Sequence, residues 1–318
     1  KNEVLGLINN ELRRRRDIRG IAILNTRVPI VKIQHYPTGI SCDISMENAL
    51  SLHKCRLLSL YNSIDSRFRQ LVLLVKWFAK QRNINDASAG TLNSFAWTLM
   101  CLHVLQSVAK PPVLPCLQTD SQGELVPPIA TISDIPLNYQ TNVEEFRDFG
   151  SGNRMSVGEL LHLFFQYFGF EFDFSRDCVS VRTPGAVPKS GVEFKAPQRR
   201  CLAIQDPFDV EDNVGRSVGE PIVSRVRLEL RRAQLLVSCG RLDETVAKTV
   251  DKVVISRRPP RPRSRQTASG PTPAPQPTPA ARPTPRQPPQ PAQPQPQSAH
   301  PQPAQNQANG GGRGLAQG

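Results

Sequence analysis

Residues 21–45 read IAILNTRVPIVKIQHYPTGISCDIS. Apolar and β-branched side chains fill Ile21–Leu24 and Val28–Ile33, and Asn25-Thr26-Arg27 between them supplies turn chemistry. The third run, Gly39–Ser45, alternates. Ile40, Cys42 and Ile44 take one side, and Ser41, Asp43 and Ser45 the other, as the period of a strand requires. These runs predict a three-stranded unit with Asp43 on its open face and a core against the other. A helix should precede it, because Val4, Leu5, Ile8 and Leu12 recur at helical spacing before the basic run Arg13 to Arg16.

From about residue 46 the period lengthens to that of a helix. Leu50 to Leu60 and Ser66 to Gln81 are predicted amphipathic helices. In the second, Phe68, Leu71, Val72, Val75, Phe78 and Ala79 make the apolar stripe, and Arg69, Lys76 and Lys80 share another face. Thr91 to Val108 is apolar nearly all round and is expected to be a buried central helix. Ser156 and Glu159 form a capping box for a helix over Met155 to Phe168. Phe170–Arg182 alternates on either side of Ser175-Arg176-Asp177 and is expected to fold as a hairpin. A helix over Ile222 to Val237 closes the body. The expected class is α+β, a small α/β part followed by a mostly helical one.

The net charge of +13 is unevenly placed. After Asp251 there is no acidic residue, yet that stretch holds nine of the 40 Lys and Arg residues and 17 of the 30 prolines. Its Pro, Gln, Ala and Arg cannot bury enough surface to offset their ordering entropy, so a disordered tail is expected. Arg257, Arg258, Arg261, Arg263 and Arg265 are its candidate contacts to RNA phosphates or to a protein partner. The body carries nearly balanced charge. The seven cysteines form no CxxC pair and no histidine stands at zinc-finger spacing, which points to free thiols in a reducing compartment. No run approaches the roughly 18 apolar residues of a membrane span, so no membrane partner is expected. The chain opens Lys1-Asn2-Glu3 in helical pattern, without Met or signal peptide, and is expected to begin inside a domain.

One carboxylate on a strand and two lysines a helical turn apart each have a plain reading as solvated surface. Together they fit a sharper one. Joining a nucleotide to a 3′-hydroxyl calls for carboxylates that hold two divalent ions and for cations that meet the triphosphate. Lys76 and Lys80, at i and i+4, can converge on one phosphate group. His53, His103 and His162 lie in apolar helical patterns and are read as packing residues, as are Trp77 and Trp97.

Thr26–Lys32, Cys42-Asp43-Ile44, Leu73–Lys80, Ile84-Asn85, Gly90–Phe95, Pro111–Gln118, Ser156–Leu161, Asp206–Asp209 and Asn213–Arg216 follow one another in an order that resembles the terminal uridylyltransferases and noncanonical poly(A) polymerases. These belong to the polymerase-β-like nucleotidyltransferase superfamily, and the text of Cys42–Gln118 and Asp148–Arg182 is most similar to plant- and algal-type uridylyltransferases. The resemblance implies that 1–43 is the end of a nucleotidyltransferase catalytic domain. Residues 44–245 would then be a helical central domain with its poly(A)-polymerase-associated segment, and 246–318 the tail. It implies addition of nucleotides to RNA 3′ ends without a template, UMP from UTP first and AMP from ATP as the alternative, with Mg²⁺ or Mn²⁺ as cofactor. Asp43 would be the third catalytic and metal-binding carboxylate. Lys76, Lys80 and Ser94 would meet the phosphates, Phe95 would stack on the base, and Asp206, Asp209 and Asp212 would lie in the base-reading loop. Arg27 and Lys32 would border the RNA. By the same token the expected location is cytoplasmic, with nuclear residence as the alternative.

Three departures bear on this reading. The family's Gly-Ser and Asp-x-Asp elements are expected upstream of Lys1, and neither Gly150-Ser151-Gly152 nor Glu171-Phe172-Asp173 replaces them. The 318 residues alone are therefore expected not to catalyse transfer, and a non-catalytic RNA-binding scaffold is the third reading. Lys54 and Cys55 stand where relatives carry Asn-Thr against the ribose and phosphates. Asp212 stands where many uridylyltransferases have His, and it could accept from uracil N3–H or from the adenine amino group.

Overall fold

The computed structural model describes residues 1–247 except 27, 186 and 197–200. Arg27, the tail from 248 onward and its arginines lie outside the described residues. Everything described belongs to one compact unit, Lys1–Arg257.

Helix α1 (Asn2–Arg13) lies on an antiparallel meander of β1 (Ile18–Ile23), β2 (Ile30–His35) and β3 (Ser41–Ser45), in the order β1-β2-β3. Leu5 and Val31 are fully buried in this layer, whereas Val4 faces solvent. A Cβ on Gly20 would stand 2.9 Å from the Asn9 side-chain oxygen, so Gly20 of β1 lies directly beneath Asn9 of α1. The register pairs Ile21 with Lys32 and Lys32 with Asp43; one step along, Arg19 faces Gln34 and Gln34 faces Ser41. The pleat therefore collects Arg19, Ile21, Lys32, Gln34, Ser41 and Asp43 on one face. Asp43 is on the open face, as expected. The reverse of β3 is not the core anticipated for it: Cys42 is exposed and Ile40 is 64% exposed. The physical reason is coverage, since α1 packs chiefly on β1 and β2.

The rest of the unit is mostly helical. Helices α2 (Ala49–Ile64), α3 (Arg67–Gln81) and α4 (Ser94–His103) are followed by α5 (Val157–Gln166) and α6 (Glu220–Ser238). α3 packs on α4 and α5, and α5 on α6. Their shared core is aromatic. Trp97, Tyr61, Phe78, Phe164, Phe165 and Phe168 are all at most 2% exposed, each worth about 1.5–3 kcal/mol by burial alone. The Trp97 indole donates to the Ile84 carbonyl at 3.2 Å. Trp77 corrects the expectation of a second core tryptophan: it is 50% exposed, beside the exposed Leu73. Phe78 takes the inward direction one position on, and the stripe cannot turn both residues inward.

The central helix starts later than its apolar run. Asn93 caps it, its side-chain oxygen accepting from the Ala96 N–H at 2.7 Å, while the Thr91 hydroxyl is taken up by the Asp86 backbone. α4 then widens into a π-helical turn, Val104–Val108, closed by the Ala109 N–H on the Val104 carbonyl. α5 carries the capping box read from the sequence and also ends in a π turn, Tyr167–Glu171. That turn removes Phe170 and Glu171 from the expected hairpin. Only Asp177–Val179 of that segment is a strand, β6, which pairs with β7 (Val187–Pro188) and β8 (Ala203–Ile204) in the order β7-β6-β8. An unanticipated hairpin joins β4 (Pro128–Ile132) to β5 (Ile135–Asn138), with Ser133 and Asp134 at φ 48° and 63° in its turn. Between the two π turns, buried His103 approaches the Ser180 carbonyl at 2.9 Å and the Tyr167 hydroxyl at 3.2 Å. Burial holds its pKa below the ordinary 6.5. Among the described residues, no helix is long and apolar enough to cross a membrane.

Candidate functional site

Three elements converge around the expected residues: the open face of the meander, the amino end of α4, and the loop that follows β8. Asp43 sits on β3 with Lys32 directly across on β2. Lys32 in turn acts on Asp86, in the loop before α4. The Ser88 hydroxyl is the main cause holding the Asp86 carboxyl below its usual range; the Ser88 and Ala89 N–H groups and the Lys32 charge add to it. The face bearing Asp43 and the loop leading to Ser94 therefore lie within electrostatic reach of each other.

At α4, Asn93 orients the first turn so that its N–H groups point outward, a favourable place for an anion. Ser94 stands at its first position, exposed, exchanging hydrogen bonds with the Asn85 amide at 3.1 and 3.3 Å. On the neighbouring α3, Lys76 is partly buried and Lys80 exposed. Neither has an ion pair among the described residues. Two cations without an ion-paired anion, on a helix packed against α4, are suited to a polyphosphate.

Phe95, the next residue of α4, is joined to the third element by Lys54 of α2. The Lys54 ammonium lies 5.5 Å from the Phe95 ring centre and pairs with the Asp206 carboxylate. Asp206 is 1% exposed and its other oxygen accepts from the Phe208 and Asp209 N–H groups at 3.0 and 3.1 Å. Its own N–H donates to the Asp212 carbonyl at 3.1 Å, closing the loop on itself. Asn213 holds the exit, accepting from Ile204 and Gly215 N–H at 2.9 Å each. A Cβ on Gly215 would stand 2.5 Å from the Leu202 carbonyl oxygen, which accounts for glycine there.

Lys54, Phe95 and Asp206 are thus one assembly. Asp209 goes elsewhere: Lys195 donates to it at 3.0 Å, and it lines a cleft of about 280 Å³ with Asp134, Phe208 and Glu211. Asp212 accepts from Arg216 at 2.9 Å. Cys55 is exposed beside Lys54. The sequence reading gave no role to Gln118 and Arg182, which donate together to the Pro207 carbonyl at 2.7 and 2.6 Å and clamp the loop from below. Gln118 also donates to the Asn138 carbonyl. A polar side chain inside the apolar run around Leu114 and Leu117 was its only signal.

A two-ion centre needs several carboxylates. Among the described residues no group of three or more His, Cys, Asp or Glu could hold a metal ion, and the nearest cross-strand neighbour of Asp43 is a lysine. The residues present do not by themselves make such a centre.

Residues 1–63 match the model of the central palm domain of mitochondrial-like poly(A) RNA polymerase, and residues 156–212 match the Cid1 family poly A polymerase model. Human terminal uridylyltransferase 7 is 35% identical over 217 residues, which is 67% of this chain and 14% of that protein. Terminal uridylyltransferase cid1 of Schizosaccharomyces pombe is 32% identical over 240 residues, 69% of this chain and 57% of that one. The solved structure of Cid1 in complex with the UTP analogue UMPNPP superposes with a TM-score of 0.69 at 30% identity, covering 78% of each chain. The chain thus spans little more than half of one of these curated relatives and about a seventh of the other.

Proposed function

The chain belongs to the Cid1 family of RNA nucleotidyltransferases, and from that membership we propose that it serves template-independent addition of nucleotides to RNA 3′ ends, with UTP as the nucleotide. The observation that carries this is the joining of Phe95, at the amino end of α4, through Lys54 to the Asp206 loop, beside a helix that presents Lys76 and Lys80. In this reading Lys76, Lys80 and the Ser94 hydroxyl take the triphosphate. The base lies against Phe95, whose other surroundings include the Lys54 ammonium. The loop from Asp206 to Asp212 meets the base edge. Asp43 faces the attacking 3′-hydroxyl of the RNA, and pyrophosphate leaves.

The family works with divalent metals. Mg²⁺ would find Asp43 here as one ligand, which does not suffice to hold it. UTP is favoured over ATP by the similarity to uridylyltransferases and to the complex with a UTP analogue. The scattered, unbridged thiols suit a cytoplasmic setting.

The test is RNA extension with each of the four NTPs supplied separately. The 318-residue chain is expected to bind UTP and leave the RNA unextended, because among the described residues no carboxylate cluster forms around Asp43. A polypeptide that also carries the Gly-Ser and Asp-x-Asp elements is expected to add uridine and to lose that activity on Asp43→Ala. Extension by residues 1–318 alone would overturn the assignment of Asp43 as one part of a larger set. Adenosine addition would move the proposal to a poly(A) polymerase, and RNA binding without any addition by the longer polypeptide would leave a scaffold.

A further inference from the structure

The open face of the meander holds more than Asp43. One register step away lies a cleft of about 160 Å³ lined by Arg19, Ile21, Lys32, Ile33, Gln34 and Ser41. Arg19, Gln34 and Ser41 form one row across the three strands, and Ile21, Lys32 and Asp43 the next. Arg19, Lys32 and Gln34 have no ion pair or side-chain hydrogen bond among the described residues. All lie on the face turned away from α1, and the charge on Lys32 also acts on Asp86 in the loop before α4. The row therefore offers a planar guanidinium, an amide and a hydroxyl, all free, above an Ile21 that is 41% exposed.

We propose that this row is the binding site for the backbone of the RNA acceptor strand just before its 3′ end. Arg19 grips a phosphodiester, and Gln34 and Ser41 meet the ribose beside it. The inference rests on the reading of Asp43 as the residue that faces the 3′-hydroxyl. Strands in a sheet lie about 4.8 Å apart and successive same-face residues about 7 Å apart. Arg19, two strands over and one same-face step along, then has its backbone about 12 Å from that of Asp43. A guanidinium suits this place because its fork matches two phosphate oxygens and keeps its charge at any working pH. An amide and a hydroxyl can each donate to and accept from a 2′-hydroxyl. Ile21 gives the sugar an apolar floor. The ligand could also be the triphosphate of a free nucleotide, so the test separates the two.

Binding of a fluorescent single-stranded RNA to the 318-residue chain is measured by anisotropy over a range of salt, alongside UTP binding by calorimetry. Arg19→Ala is expected to weaken RNA binding about tenfold, the loss of one charge-assisted hydrogen bond, and to lower the slope of log K against log salt by about 0.7. UTP affinity should not change. Arg19→Lys should recover part of the loss, and Lys110→Ala, an exposed cation outside the row, should change neither quantity. A single neutral methylphosphonate is then walked from the last RNA linkage inward. The Arg19→Ala penalty should vanish for one linkage among the last three and persist for those further in. An unchanged RNA affinity in a folded Arg19→Ala protein, a penalty indifferent to the position of the neutral linkage, or a loss in UTP rather than RNA binding would each overturn the proposal. Nucleotide preference is not read in this experiment, so an ATP-using enzyme would still pass it.

Discussion

Replacing Lys54 by Met tests the assembly at the centre of the site. Lys54 is 18% exposed and Asp206 1%, so the substitution strands a carboxylate in the interior while the methionine fills most of the space of the lysine stem. Removing one partner of a buried pair costs about 3–5 kcal/mol. The two backbone N–H groups still bonded to Asp206 place this case near the lower end, at about 3 kcal/mol. For a folded unit of this size each kcal/mol moves Tm by about 2–4 °C, so a drop of roughly 6–12 °C is expected. Asp206→Asn should cost less, because the Lys54 ammonium retains a route to solvent. The double variant should be more stable than the sum of the two losses predicts, by at least about 1 kcal/mol. Thermal melts followed by near-ultraviolet circular dichroism, with urea titrations for the free energies, give all four corners of the cycle. If Lys54→Met melted within about 1 °C of the parent, or the two losses simply added, the ion pair would not be what joins α2 to the loop.

Lys76→Ala is expected to weaken UTP binding by roughly ten- to a hundredfold, as loss of a hydrogen bond from a charged group would, with Tm unchanged; isothermal titration and a melt on the same protein check both. His103 should make the fold sensitive to mild acid. Its folded pKa lies below the unfolded 6.5, so its contribution is fully present above about 6.5 and is lost as pH falls below that. The free energy of unfolding in urea should fall between pH 7.5 and 5.5, and less so in His103→Gln. Cys42, Cys55 and Cys239 are exposed, so a disulfide reagent should modify these three quickly in the native protein. Cys101 and Cys178 should react only on unfolding, burial having pushed the Cys178 thiol up to about 12 and the Cys101 thiol well above its ordinary value. Saturating UTP should slow the labelling of Cys55 alone, since it is the one exposed thiol beside Lys54.

What the sequence made legible follows periodicity. The meander, with Asp43 on its open face, and helices α2, α3, α5 and α6 announce themselves through repeats of two or about 3.6, and their ends through residues such as Ser156. The errors fall where period says nothing. Phe170–Arg182 alternates, but a π turn that satisfies the end of α5 claims its first residues. Trp77 and Phe78 look equally apolar, and only packing against Phe165 decides which turns inward. Within the site, helical spacing paired Lys76 with Lys80 as a candidate phosphate contact, and family resemblance added Phe95 and gave all three their roles. The ion pair of Lys54 with Asp206 joins residues 152 positions apart, and the convergence of Gln118 and Arg182 on one carbonyl is equally long-range. No local pattern encodes such contacts, because each depends on how α2, β5 and β6 are brought together.

The paired π turns after α4 and α5 have a consequence for how relatives should be aligned. A turn closed at five residues instead of four holds one residue more than the helix needs to cover the same length. Removing it would let the helix run on without moving its axis. Relatives that differ in length by one residue between Val104 and Val108, or between Tyr167 and Glu171, should therefore keep the same core on either side. A gap at those two places would record the loss of a π turn and leave the site around Phe95 and Asp206 in register.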